Sequence, residues 1–100
     1  MRFLLNVLTL RKDGDCVEIH ADTNGLKLLR DSINSMLEKL DNGSEQEHEH
    51  YFIESWGGEG LSNARTKFKD NREMNLACSL KITVWNSEIV NQYFDNLRES

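Results

Sequence analysis

Hydrophobic positions change their spacing along this chain, and each change predicts an element. Phe3 to Leu10 is mostly apolar without alternation, the pattern of a strand covered on both faces. Arg11-Lys12-Asp13-Gly14-Asp15 then supplies turn chemistry. From Cys16 to Ala21 the period becomes two, with Val17, Ile19 and Ala21 on one side and Glu18 and His20 on the other, so a half-buried second strand is predicted. Leu26, Leu29, Ile33, Met36, Leu37 and Leu40 recur at helical spacing behind Asp22 or Thr23 as N-cap, and Asn42-Gly43 ends that helix. Ser44 to Glu49 reads as a polar loop.

A third strand is predicted over His50 to Trp56, which is rich in aromatic residues, and Gly57, Gly58 and Gly60 break it. Ser62 to Asn75 has no clean period and reads as a long loop or irregular extension. Leu76, Cys78, Leu80, Ile82 and Val84 alternate with small or polar residues in a fourth strand ending at Trp85. Asn86 is placed to cap a C-terminal helix with Ile89, Val90, Tyr93, Phe94 and Leu97 as its apolar stripe. The expected fold is therefore α+β. It is a single two-layer domain over residues 1–100, with an antiparallel sheet of about four strands, two helices on one face, and the order β-β-α-β-β-α.

One hundred residues suit one domain, and 38% apolar with 29% charged residues is a globular composition. The apolar N-terminus is far shorter than the roughly 20 residues of a spanning helix and lacks a small-residue cleavage pattern, so no membrane segment or export signal is read there. Cys16 and Cys78 are accordingly expected as a reduced pair of small core residues, and the cytoplasm as the compartment. A net charge of −5 disfavours nucleic acid as partner, because phosphate binding relies on Lys and Arg, and favours a basic protein. The charge is uneven. Asp41 to Glu59 carries six carboxylates and no Lys or Arg, while Arg65, Lys67, Lys69 and Arg72 follow with Asp70 as their only acid.

Chemistry is sparse. Glu47-His48-Glu49-His50 together with His20 offers metal-ligand types, but a zinc site needs further ligands that the spacing does not supply, and a solvated strand entrance is the simpler reading. Cys78 falls on the apolar side of its strand, where a thiol is a packing group rather than a nucleophile. The glycines after Trp56 match neither phosphate-binding order, and Glu59 among them would repel a phosphate. Trp56 and Trp85 read as core anchors or as interface anchors. No cofactor is expected.

The run His50-Tyr51-Phe52-Ile53-Glu54-Ser55-Trp56-Gly57-Gly58-Glu59-Gly60-Leu61 combines a short apolar strand with a Trp-Gly-Gly-x-x-Leu turn. With Gly25-Leu26-Lys27-Leu28-Leu29 before it and Leu80-Lys81-Ile82-Thr83-Val84-Trp85 after it, the chain resembles immunity protein 32 of bacterial polymorphic toxin systems over about Val17 to Trp85. The resemblance implies a dedicated, non-catalytic binder that neutralises a neighbouring toxin in the cytoplasm.

On that expectation, toxin contact falls on Glu45, Glu47, Glu49, Glu54 and Glu59, with Trp56 as an anchor, facing a basic toxin such as a nuclease. The chain itself is expected as a monomer or homodimer. Two other classes stay open at this point. One is a small metal- or thiol-dependent enzyme using His20, His48, His50 and a cysteine. The other is a regulatory or assembly subunit that dimerises through the C-terminal helix.

Overall fold

The first hairpin follows the hydrophobic pattern closely. The computed structural model describes residues 4–11, 15–58, 60–65, 67 and 74–97. Strand β1 (Leu5–Arg11) pairs antiparallel with β2 (Asp15–Ala21), from Leu5 opposite Ala21 to Arg11 opposite Asp15. Phe3 and residues 12–14 of the expected turn lie outside the described residues. β1 lacks alternation because both of its faces are covered: Leu5, Asn6, Val7 and Leu8 are all buried. β2 alternates, yet Val17 and Ile19 on its apolar side stand largely in solvent.

Helix α1 (Thr23–Asp41) begins where Asp22 accepts a hydrogen bond from the Gly25 amide at 2.8 Å. That bond is the main reason the Asp22 carboxyl is held below its ordinary value, with the Leu4 backbone a lesser contributor. Gly25 fixes how the helix docks. A Cβ there would come within 1.8 Å of the Leu4 carbonyl oxygen, so only glycine lets α1 approach β1 this closely. The helix therefore turns Gly25, Leu29, Ser32 and Met36 toward the sheets and leaves Leu26, Ile33 and Leu37 exposed, a rotation away from the expected stripe. It ends through Asn42 and Gly43, whose φ of 103° and bond from its amide to the Leu40 carbonyl complete the predicted stop.

The rest of the chain departs further from expectation. Strand β3 (Gln46–Ile53) starts within the expected polar loop, because pairing with β6 (Ser79–Trp85) extends from Phe52 opposite Ser79 to Gln46 opposite Trp85. Cross-strand pairing thus overrides the low strand propensity of Gln46 to Glu49. Residues 54–56 form one 3-10 turn, and β4 (Gly60–Leu61) then lies parallel to β3. The expected fourth strand is two: β5 (Met74–Leu76) pairs with β1, whereas β6 pairs with β3, and the chain changes sheet at Ala77 and Cys78.

Two three-stranded sheets result, in the orders β2-β1-β5 and β4-β3-β6. The Ala77 amide continues the β1–β5 pairing onto the Val7 carbonyl, the Ile53 amide continues the β3–β6 pairing onto Cys78, and the Ser62 amide joins the two sheets through the Leu5 carbonyl. The covalent chain carries β5 into β6 through Ala77 and Cys78, and the Ser62–Leu5 bond ties the segment after β4 back to β1. Leu5, Val7, Tyr51, Ile53 and Leu61, drawn from both sheets, form the core, with Leu28 and Leu29 of α1 packed against it.

The expected C-terminal helix is not formed among the described residues. Beyond Asn86 there is a 3-10 turn at Val90–Gln92, while Tyr93, Phe94 and Leu97 stay exposed. Asn86 takes the Glu88 amide on its side chain, so it caps a turn rather than a helix. An amphipathic segment of this length needs a surface for its stripe, and here the aromatic residues fold onto Trp85 instead. Among the described residues the architecture is α+β with one α-helix and two small sheets, one of them mixed, in place of one four-stranded antiparallel sheet under two helices. A dimer built on a C-terminal helix loses its element.

Candidate functional site

β3 carries the residues singled out in the sequence, and its pleat sorts them. Gln46, His48, His50 and Phe52 are exposed on the outer side. Glu47, Glu49, Tyr51 and Ile53 turn inward, where Tyr51 and Ile53 enter the core. The outer row is a ladder of rings. His48 and His50 meet edge to face at 5.2 Å between centroids, and His50 stacks on Phe52 at 5.8 Å. Thr83, Lys81 and Ser79 of β6 stand opposite these three residues.

The five carboxylates expected to act together are separated by this sorting. Glu45 is exposed in the bend before β3, and its carbonyl accepts from the Asn86 amide at 2.9 Å. Glu47 takes the Ser44 hydroxyl at 2.6 Å and lies 3.7 Å from the Lys39 ammonium. Glu49 is half-buried beside Leu28, Ser32, Tyr51 and Gly60, around an open depression of about 220 Å³. Glu54 and Trp56 sit beyond the other end of the strand, both exposed, Trp56 to 62%. Glu59 lies outside the described residues. At ~3.3 Å per residue, the two ends of β3 are roughly 25 Å apart.

The Trp-Gly-Gly turn has a structural reason. Gly57 adopts φ 72° and its amide bonds to the Glu54 carbonyl, closing the 3-10 turn. Gly58 passes so close to Phe52 that a Cβ would come within 2.3 Å of the Phe52 Cβ. Together they swing the chain round into β4 and leave Trp56 projecting. Trp56 is thus no core anchor, whereas half-buried Trp85 packs against Tyr93 at 4.8 Å and Phe94 at 5.5 Å.

A cleft beside Trp85 was not foreseen. Leu37 and Leu40 of α1 face Val84 and Trp85 across about 350 Å³, with Asp41 and Glu88 at its rim and Glu45 joined to it through Asn86. Its sequence signal was present, an aromatic strand end followed by Asn-Ser-Glu, but the apolar spacing beyond it pointed to a helix.

The groups considered for chemistry do not assemble. His20 belongs to β2 in the other sheet and bonds to the Glu18 carboxylate at 2.9 Å. Cys16 is exposed rather than in the core, Cys78 packs against the core, and both thiols are free. Among the described residues, no three His, Cys, Asp or Glu side chains stand close enough to hold a metal ion. No described helix is long and apolar enough to cross a membrane.

The fold and surface define a small α+β protein with carboxylates and aromatic rings displayed on and around one strand. The chain matches the immunity protein 32 family over residues 17–70, and it belongs to that family. The matched span takes in most of β2 and all of α1, β3 and β4, and stops short of the β6 residues that also carried the resemblance. Neither a curated protein nor a solved structure matches the chain. Membership makes it an immunity protein, a class that binds a cognate toxin protein.

Proposed function

We propose that this protein neutralises its toxin by stoichiometric binding in the cytoplasm, that the toxin is a basic, nucleic-acid-cleaving domain, and that contact is made along β3 and its two ends. Glu45, Glu47 and Glu49 at one end and centre, Glu54 and Trp56 at the other, and Glu59 outside the described residues, are the proposed contact residues. The observation that carries the reading is the exposed Trp56 next to a strand whose acids outnumber nearby cations. Among the described residues Glu45 and Glu54 make no ion pair, so their charge is available to a basic surface. Such a field speeds encounter, and an exposed indole supplies desolvated area at the point of contact.

Two variants divide the proposal by location. Glu45→Lys with Glu47→Lys alters one end of β3, and Glu54→Lys with Trp56→Ala alters the other. Affinity for the toxin domain is measured for each at two salt concentrations. At least one pair weakens binding tenfold or more, about 1.4 kcal/mol, and its effect shrinks at high salt. Unchanged affinity in both pairs moves the contact off β3.

A further inference from the structure

Among the described residues, β2 is an edge strand without the lysine or proline that most often blunts an edge. Among the described residues it pairs with β1 alone, over seven positions. Its sequence, Asp15-Cys16-Val17-Glu18-Ile19-His20-Ala21, contains no lysine or proline, the residues that commonly blunt an edge. In the second sheet, edge strand β6 carries Lys81, and edge strand β4 is only two residues long. Val17 is 62% exposed and Ile19 50%, although they lie on the side where their β1 neighbour Val7 is buried. On α1, Leu26 and Ile33 share the flank on which Leu37 meets β6, away from the Leu28 and Ser32 flank beside Gly60, and they too are exposed.

We propose that this edge pairs with the same edge of a second copy, β2 antiparallel to β2, joining two three-stranded sheets into one of six strands. Charge and apolar matching together select the register, since centring the dyad on Val17 would set Ile19 against Asp15. Centring the dyad on Glu18 sets Glu18 against Glu18, and centring it on His20 sets Glu18 against Asp22; both place like charges opposite one another. Centring it on Ile19 sets Ile19 against Ile19, Val17 against Ala21, and Glu18 against His20. The last pair repeats between copies the carboxylate–imidazole contact already made at 2.9 Å within one chain. The occupant is therefore a second copy: apolar residues meet apolar residues on one face, and acid meets imidazole on the other. β3 belongs to the other sheet and stays uncovered, so the pairing is independent of the proposed toxin contact.

Light scattering coupled to size exclusion tests the assembly on the purified full chain. The expected mass is that of two chains, falling to one chain in Ile19→Lys with an unchanged circular dichroism spectrum. Register is read by cross-linking in a Cys16→Ser, Cys78→Ser background, with oxidised glutathione as oxidant. Ile19→Cys is expected to give a covalent dimer, since directly opposed residues in antiparallel strands lie within disulfide reach, and Glu18→Cys is expected to give none. A single-chain mass at every concentration tested, a dimer that survives Ile19→Lys, or cross-linking through Glu18→Cys in place of Ile19→Cys overturns the proposal.

Discussion

Ser62 donates its hydroxyl to the Asn6 side-chain carbonyl across 56 positions of sequence, and both residues are buried. The Asn6 amide nitrogen donates in turn to the Ala64 carbonyl at 2.8 Å, so one side chain latches the segment after β4 onto β1. Ser62→Ala leaves the Asn6 oxygen without a partner in a dry place, which costs about 1–3 kcal/mol. In urea unfolding, Asn6→Ala and Ser62→Ala combined should destabilise by less than their sum, because each removes the same bond.

Gly25→Ala is expected to lower stability although it sits inside a helix. Alanine ordinarily gains about 1 kcal/mol over glycine there, but its Cβ would meet the Leu4 carbonyl at 1.8 Å. The exposed helical position Ser35 gives the contrast: Ser35→Ala should raise the melting temperature slightly, and Gly25→Ala should lower it clearly.

The docking face of α1 makes a second contrast. Met36 is buried, so Met36→Ala should cost about 2–4 kcal/mol, whereas Leu26→Ala should stay within about 0.5 kcal/mol. Comparable losses at both positions in chemical denaturation would place the helix in the orientation its leucine spacing suggests.

The capping carboxylate of Asp22 links α1 to pH. Its value is lowered in the fold, chiefly by the Gly25 amide, from an ordinary 3.8. It therefore contributes stability that is complete above about 3.8 and is lost as the pH falls through the lowered folded value. Asp22→Asn keeps a capping oxygen without the titration. The drop in unfolding midpoint between pH 7 and pH 3 should be smaller in that variant than in the parent.

Much of the fold was legible wherever local and tertiary preferences agree. The β1–β2 hairpin, the Asp22 cap and the Asn42-Gly43 stop are local chemistry, and they stand where the residues place them. The helix face was misread because leucine spacing counts apolar side chains, while Gly25, with no side chain, decides how close the helix comes. β3 began early because Gln46 to Glu49 owe their strand conformation to β6, a partner some 35 residues away. The same non-local cause split the fourth strand, since β1 draws Met74–Leu76 one way and β3 draws Ser79–Trp85 another. Of the candidate contact residues, the types were visible in sequence. The division of the described ones between the two ends of β3 followed only from the pleat and the turn at Gly57.

Titration calorimetry of the purified chain against a candidate cognate toxin domain tests the central claim most directly. Saturable heat at a fixed stoichiometry, with loss of toxin activity at the same equivalence point, is the predicted result. No heat, and a toxin still fully active in excess of this protein, would contradict it.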